Sequence, residues 1–275
     1  MNQRTLGLAL LLCLVAWALA WPAAGQGAPI PGYRPVAVWP AATHGLAAPQ
    51  AIAAGPDGRI WLLDGSQPPL ARSLVALSPE GQKLETRPAP PDALDLAPEP
   101  GGDIYLGSAA GSPRYHRTIG RYGPSGTPVW TQPEEGASGT GVGATAGRVF
   151  LTDPLKTTFK ENKPSGGIRW RGRADGRVSG AMVPQGAANG FPSDVDVAPD
   201  GTLFATDLLG DAVFTWAPPY LPNDFVRWTL IETSGPWRTS VGAQEDGAGL
   251  VGVLFSEGLV HVHRPDGQLL ARFHV

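Results

Sequence analysis

The chain holds a single cysteine among 275 residues, and Cys13 lies inside an apolar leader. The chain behind that leader is thus expected to carry no thiol. Disulfide staples, thiolate nucleophiles and cysteine-based zinc sites are excluded, and stability must come from a hydrophobic core. Charge is also sparse: 16% of residues are charged and the net charge is −3. One concentrated basic run exists, Arg169-Trp-Arg-Gly-Arg173, so a nucleic-acid partner is not expected. No helical period is found. No Gly-x-Ser-x-Gly elbow supports a serine nucleophile, and Ser108 and Ser138, in Gly/Ala-rich stretches, read as loop. Gly139-Thr-Gly-Val-Gly143 precedes no helix and lacks the lysine of a phosphate loop, which excludes dinucleotide chemistry.

The leader itself is a short apolar stretch, Leu6 to Ala20, behind Arg4. A charged start, an apolar centre and the exit sites Ala18-Leu19-Ala20 or Ala23-Ala24-Gly25 make a secretory signal peptide over residues 1–25. The stretch falls short of the about 20 apolar residues of a membrane span. The protein is therefore expected to be exported, to the periplasm or the medium, with no transmembrane segment after cleavage. Residues 26–48 form an N-terminal segment in which Val36-Ala-Val-Trp39 is expected to be a strand clasping the outer edge of the last repeat.

What is abundant is turn chemistry, with 37 glycines and 29 prolines set between short apolar runs. One phrase recurs: Pro49 to Asp64 holds Ile52, Pro56-Asp57-Gly58 and Ile60-Trp61, and Pro192 to Asp207 repeats it with Pro199-Asp200-Gly201 and Leu203-Phe204. Pro91 to Gly107 is a looser copy. Each is a β-hairpin. A second turn signal falls at Gly81, Gly126, Gly176 and Gly267. These glycines lie 45, 50 and 91 apart, which places a hidden fifth copy near residue 222, at Tyr220-Leu-Pro-Asn-Asp224. Two hairpins per 40 to 50 residues make one four-stranded propeller blade. The expected fold is an all-β propeller over 49–275, with blades starting near Pro49, Pro91, Gly139, Pro192 and Val241. Five blades are counted, and a six-bladed ring with one degenerate blade is the alternative. Asp153 to Ser165 reads as a long loop of the third blade.

The phrase Pro-x-x-Ile-x-x-x-Pro-Asp-Gly-x-Ile-Trp-x-x-Asp resembles NHL repeats and the related SMP-30/gluconolactonase and Yellow-like propellers. Arg59 to Asp64 followed by Leu74-Val-Ala-Leu77 is most similar to the Yellow type. The SMP-30 resemblance implies a divalent metal in the central tunnel, held by a Glu of the first blade and by Asn and Asp of others. Here Gln50 stands at the first position and Ser193-Asp194 at the fourth, so Asp194 alone keeps an acidic ligand in register.

Aligning the inner strands brings Gln50, Asp92, Asp194 and Glu245 or Asp246 to the tunnel mouth. Converging oxygens of this kind suit calcium. Carboxylates at strand ends equally serve to hydrogen-bond neighbouring amides, and the repeated Asp64 and Asp207 read as turn-forming groups. Arg114-Tyr-His-Arg117 offers donors for an anion and, in His116, a general base, or is simply a solvated loop. His261 and His263 alternate on what reads as an outer, solvent-facing strand. The tryptophans 61, 130, 170, 216 and 228 read as inter-blade packing, whereas Trp237, after Ser234-Gly-Pro236, is a candidate to line a ligand surface. The expected function is binding of a small molecule, glycan or protein, with Gln50, Asp92, Arg114, Asp194 and Trp237 as candidate contacts. The alternative is a metal-dependent hydrolase of lactones or sugar esters using Asp194, Asp92 and Glu245, and a third reading is a lyase or isomerase built on His116.

Overall fold

The computed structural model describes residues 44–65, 72–99, 101–108, 118–133, 141–153, 167–182, 192–198, 200–207, 212–221, 224–230, 236–243, 249–255 and 259–274. Twenty strands form five antiparallel four-stranded sheets, each from four consecutive strands. The first blade is β1 (Pro49–Ala54), β2 (Ile60–Asp64), β3 (Arg72–Leu77) and β4 (Lys83–Ala89). The second is β5 (Ala93–Pro98), β6 (Ile104–Ser108), β7 (Thr118–Tyr122) and β8 (Pro128–Pro133). The third is β9 (Val142–Ala144), β10 (Arg148–Asp153), β11 (Gly167–Gly172) and β12 (Val178–Met182). The fourth is β13 (Pro192–Val197), β14 (Leu203–Asp207), β15 (Ala212–Trp216) and β16 (Phe225–Thr229). The fifth is β17 (Pro236–Ala243), β18 (Gly249–Phe255), β19 (Leu259–His263) and β20 (Leu269–His274). The inner strands β1, β5, β9, β13 and β17 adjoin one another in a closed cycle, which makes the molecule a five-bladed β-propeller. No α-helix occurs among the described residues.

The turn residues that wrote the repeat are the ones that fold it. Asp57, Asp175, Asp200 and Asp266 each accept, through Oδ1, a bond of 2.8–3.1 Å from the amide two residues on, at Arg59, Arg177, Thr202 and Gln268. The glycine after each aspartate takes a positive φ, from +67° to +88°, which an L side chain adopts only under strain. The copy expected near residue 222 is a turn without glycine, between β15 and β16. It projects Tyr220, itself at φ +67°, into seam 3–4, where the ring meets Phe150 of blade three edge-on at 5.0 Å and the hydroxyl donates to the Gly201 carbonyl of blade four at 2.7 Å.

Four seams between blades are filled by apolar clusters drawn from both partners. Trp61, Leu63 and Leu74 meet Leu96 and Leu106 at seam 1–2. Ala97 and Tyr105 meet Val149 and Leu151 at seam 2–3. Phe150 and Ile168 meet Leu203, Phe214 and Trp216 at seam 3–4. Phe204 and Trp228 meet Val251 and Val253 at seam 4–5. Each fully buried side chain of this size stabilises by about 1.5–3 kcal/mol. At the seam between blades five and one the cluster found among the described residues, Leu62, Val75 and Leu77 with Leu46 and Ile60 on them, comes from blade one and its preceding segment. The tryptophans serve as inter-blade packing as read from the sequence, with Trp61, Trp216 and Trp228 buried and Trp130 and Trp170 packed on the clusters.

Several expectations are corrected. His261 and His263 are on the third strand, not the outer one, and face seam 4–5, only 2% and 5% exposed. The half-buried residues are the alternating Val260 and Val262. Ser108 ends β6 and is buried rather than looped. The fifth blade begins at Pro236, not Val241, and β10 extends through Asp153. Val36 to Trp39, Ser138 and residues 154–165 lie outside the described residues.

Candidate functional site: the axial cavity

In a propeller each blade turns the edge of its innermost strand toward the axis, so the axis is walled by backbone edges and by short side chains beside them. Gly141, just before β9, and Gly143 within it show how tightly this is built. A Cβ on Gly141 would lie 2.5 Å from the Val195 amide and 2.6 Å from the Asp194 carboxylate, and one on Gly143 3.1 Å from Val197, so these glycines let β9 lie against β13. Around the axis a cavity of about 570 Å³ remains, within the range of small-molecule sites.

The wall is largely aliphatic, with Ile52, Ala54, Leu96, Val142 and Val197 among its members. Ile52 is 62% exposed, the largest exposure among the large apolar side chains of the described residues. The cavity also reaches Leu62 on β2, Gly252 on β18 and Val260 on β19, residues well outside the inner strands. It therefore continues into seam 5–1, the seam that lacks a shared apolar cluster among the described residues. Here the blade-one face of Ile52 and Leu62 looks across to Gly252 and Val260.

The charged residues among the described lining are three aspartates: Asp95 of blade two and Asp194 and Asp196 of blade four. Each serves the backbone. Asp95 Oδ2 accepts from the Val142 amide at 2.9 Å, bridging blades two and three. Asp194 and Asp196 accept from the next amide in the chain, Val195 at 3.0 Å and Val197 at 2.8 Å. Behind them Thr152 Oγ1 accepts from the Gly141 amide at 3.1 Å, and the Ser193 and Thr206 hydroxyls are paired at 2.9 Å, all buried. A field of negative sign with no lining lysine, arginine or histidine among the described residues favours donors and cations over anions.

Of the residues singled out from sequence, the cavity receives Gln50, which is exposed at its edge, and Asp194. Asp92 is not in the lining. It occupies the turn before β5, where its charge acts on Arg72 and Tyr122. The strand register explains the error. Ala93 pairs Ser108, Asp95 pairs Gly107 and a bulge separates them, just as Pro192 pairs Asp207 and Asp194 pairs Thr206 across a bulge. Asp95 is thus the blade-two counterpart of Asp194. The turns are of equal length, five residues from Glu99 to Asp103 and from Ala198 to Thr202, but Pro91 stands two residues ahead of Ala93, the counterpart of Pro192, so aligning the phrases on their prolines shifts them against the register. Asp95, Asp196, Ile52 and the reach of the cavity into seam 5–1 were missed; the available signal for the first was its seven-residue distance from Gly102, the same as that of Asp194 from Gly201. Arg114, His116, Glu245 and Asp246 lie outside the described residues, and of Trp237 only the backbone, in β17, lies inside them. Among the described residues no three histidine, cysteine, aspartate or glutamate side chains gather as a metal centre requires. Of the expected tunnel-mouth set, Gln50 and Asp194 share the cavity, Asp92 lies off it, and Glu245 and Asp246 lie outside the described residues.

No protein-family model matches the sequence and no curated protein matches it. Solved structures do match. Virginiamycin B lyase from Staphylococcus aureus aligns with a TM-score of 0.55 at 16% identity, over 83% of this chain and 70% of that one. A streptogramin B lyase aligns at 0.56 and 15%, over 83% and 69%. A catalytically inactive histidine-to-alanine form of the S. aureus enzyme with quinupristin aligns at 0.54 and 15%, over 83% and 70%. At this identity the likeness is one of fold, and the chain is a β-propeller similar in architecture to these lyases.

Proposed function

We propose that this protein is an exported β-propeller that binds a small molecule in its axial cavity, with the apolar body of the ligand lying in seam 5–1. One observation carries the reading: the cavity extends into the one seam where the described residues share no apolar cluster, and Ile52 stands exposed on its wall. Exposed aliphatic surface inside a concave site is the usual signature of a ligand surface. The negative lining narrows the ligand to a neutral or cationic compound with hydrogen-bond donors. Export rests on the leader of residues 1–25.

The similar solved structures favour a second reading, a lyase with His116 as the proton-abstracting base. The described residues lend the metal-dependent hydrolase no ligand set.

The experiment is thermal melting of the chain from Gln26 onward against neutral and cationic cyclic compounds, quinupristin among them, with mass analysis of every compound that raises the melting temperature. A ligand at about 100 times its Kd stabilises by about 2.7 kcal/mol, a shift of roughly 5–10 °C for a domain of this size. A shift with the compound recovered unchanged supports binding. Conversion that disappears in His116→Ala supports the lyase. No shift with any compound, or shifts confined to anions, overturns the cavity reading.

A further inference from the structure

Blade one ends its second strand with Asp64, and the carboxylate of Asp64 closes the blade to its incoming segment. Its Oδ2 and Oδ1 accept from the Ala47 and Ala48 amides at 3.0 and 2.8 Å. Blade four carries Asp207 at the same position, opposite Pro192. In blade two the register puts Ser108 there, opposite Ala93. Ser108 is buried at 4% exposure, and its side chain is shorter by the whole carboxylate. By the same register Asp92 corresponds to Ala48, so the Asp92 amide N–H stands where blade one has a carboxylate to receive it.

A cation faces the vacated position. Along β3 the side chains of Arg72, Leu74 and Ala76 alternate onto one face, and Leu74 and Ala76 belong to the cluster at seam 1–2. Along β6 Ile104, Leu106 and Ser108 share a face, and Ile104 and Leu106 belong to that same cluster. Arg72 and Ser108 therefore both close the seam at the end from which β2–β3 and β6–β7 are joined. Arg72 is only 6% exposed, and among the described residues neither its Nε nor its Nη1 finds a hydrogen-bond partner. Leaving guanidinium donors buried and unmatched is costly, and a guanidinium is built to receive oxyanions. No other blade offers an arginine at this place: the first residue of the third strand is Thr118, Gly167, Ala212 and Leu259 in the others.

We propose that Arg72, the Ser108 hydroxyl and the Asp92 amide form a binding site for an oxyanion, a carboxylate or phosphate group, at seam 1–2. The anion takes the place that the Asp64 carboxylate fills in blade one. Burial lowers the affinity of Arg72 for its proton, and the Asp92 charge opposes that effect without an ion pair forming between them. Arg72 and Ser108 are not part of the axial cavity, so the site stands or falls independently of the small-molecule reading.

The probes are inorganic phosphate and acetate at constant ionic strength, read by melting temperature and calorimetric titration. The wild-type chain should melt about 3–5 °C higher, in a saturable manner, with anion at about ten times its Kd. Arg72→Met should abolish that shift. Ser108→Asp should supply the missing carboxylate from the chain itself, raising the melting temperature in anion-free buffer and removing the response to anion. Asp92→Asn should tighten anion binding by roughly 3- to 10-fold, because a nearby like charge is removed while its backbone amide stays. No saturable shift in the wild type overturns the proposal, as does an undiminished shift in Arg72→Met. Should Arg72→Met fail to fold, Ser108→Asp and Asp92→Asn decide alone: a Ser108→Asp chain that still responds to anion, or an Asp92→Asn chain that binds no tighter, overturns it.

Discussion

Asp95 of β5 accepts a hydrogen bond from the backbone amide of Val142 in β9 at 2.9 Å, tying the inner strands of blades two and three together across the axis wall. The residue is only 6% exposed, so the bond is made in a place where water competes weakly. Truncation to Ala removes a charge-assisted bond and leaves the Val142 amide without this acceptor. Asp95→Ala should cost about 2–3 kcal/mol, measured as a lower urea midpoint. A stability within 0.5 kcal/mol of wild type, to within roughly the error of such surface-like changes, would show that this carboxylate belongs to a ligand and not to the frame.

Gly267 and Trp228 make the corresponding joint at the outer rim of seam 4–5. Gly267 has φ +88°, and a Cβ there would lie 2.7 Å from Cγ of the Trp228 indole. Strain and overlap act together, so Gly267→Ala should destabilise by about 2–4 kcal/mol. Trp228→Ala should lower the melting temperature as well, and the double variant should lose less than the sum of the two, because the overlap no longer exists.

His263 sits in the same joint, its ring centroid 5.8 Å from that of Trp228. Since the Gly267 carbonyl can only accept, Nδ1–H of His263 is the donor in their 3.1 Å bond, and Nε2 is buried with no hydrogen-bond partner among the described residues. Burial pushes the ring below its ordinary 6.5, partly offset by the Gly267 carbonyl. A depressed folded-state value means that the unfolded chain binds the proton more readily. The contribution of His263 is therefore fully present above about pH 6.5 and is lost as pH falls toward the folded-state value. Melting temperatures from pH 8 to pH 5 should fall more steeply in the wild type than in His263→Gln; equal slopes would contradict the assignment.

Tyr220 bonds the Gly201 carbonyl at 2.7 Å while its ring packs in blade three. Tyr220→Phe should cost about 1 kcal/mol and Tyr220→Ala about 3–5 kcal/mol. Equal losses in urea unfolding would mean that the bond, not the ring, holds the turn.

The architecture was legible because a propeller repeats its punctuation. Asp-Gly turns at 57–58, 175–176, 200–201 and 266–267 use the same hydrogen bond and the same positive φ, and both are dictated by residue type. The site was less legible, because it depends on which residue opens each inner strand. The counterpart of Pro49 and Pro192 in blade two is Ala93, whereas the proline of its phrase, Pro91, stands two residues earlier, so an alignment on proline sets Asp92 beside Asp194 where the bulged pairing places Asp95. His261 and His263 were misread because the polar partners of an alternating strand are the buried set when the face they occupy meets a tryptophan of the preceding blade. The reach of the cavity into seam 5–1 leaves no mark in any single strand, since it arises from how residues of two blades, Ile52 and Leu62 of the first and Gly252 and Val260 of the fifth, line one space.

The central claim is that the axial cavity, through its continuation into seam 5–1, is the ligand site. Its most direct test is to take the compound giving the largest melting shift and repeat the calorimetric titration on Ile52→Trp. Ile52 is 62% exposed, so the larger ring fits without disturbing the blade and occupies the cavity instead. The account predicts an unchanged melting temperature without ligand and at least a tenfold loss of affinity. A variant that is equally stable and binds as tightly as the wild type would place the ligand elsewhere and contradict the account.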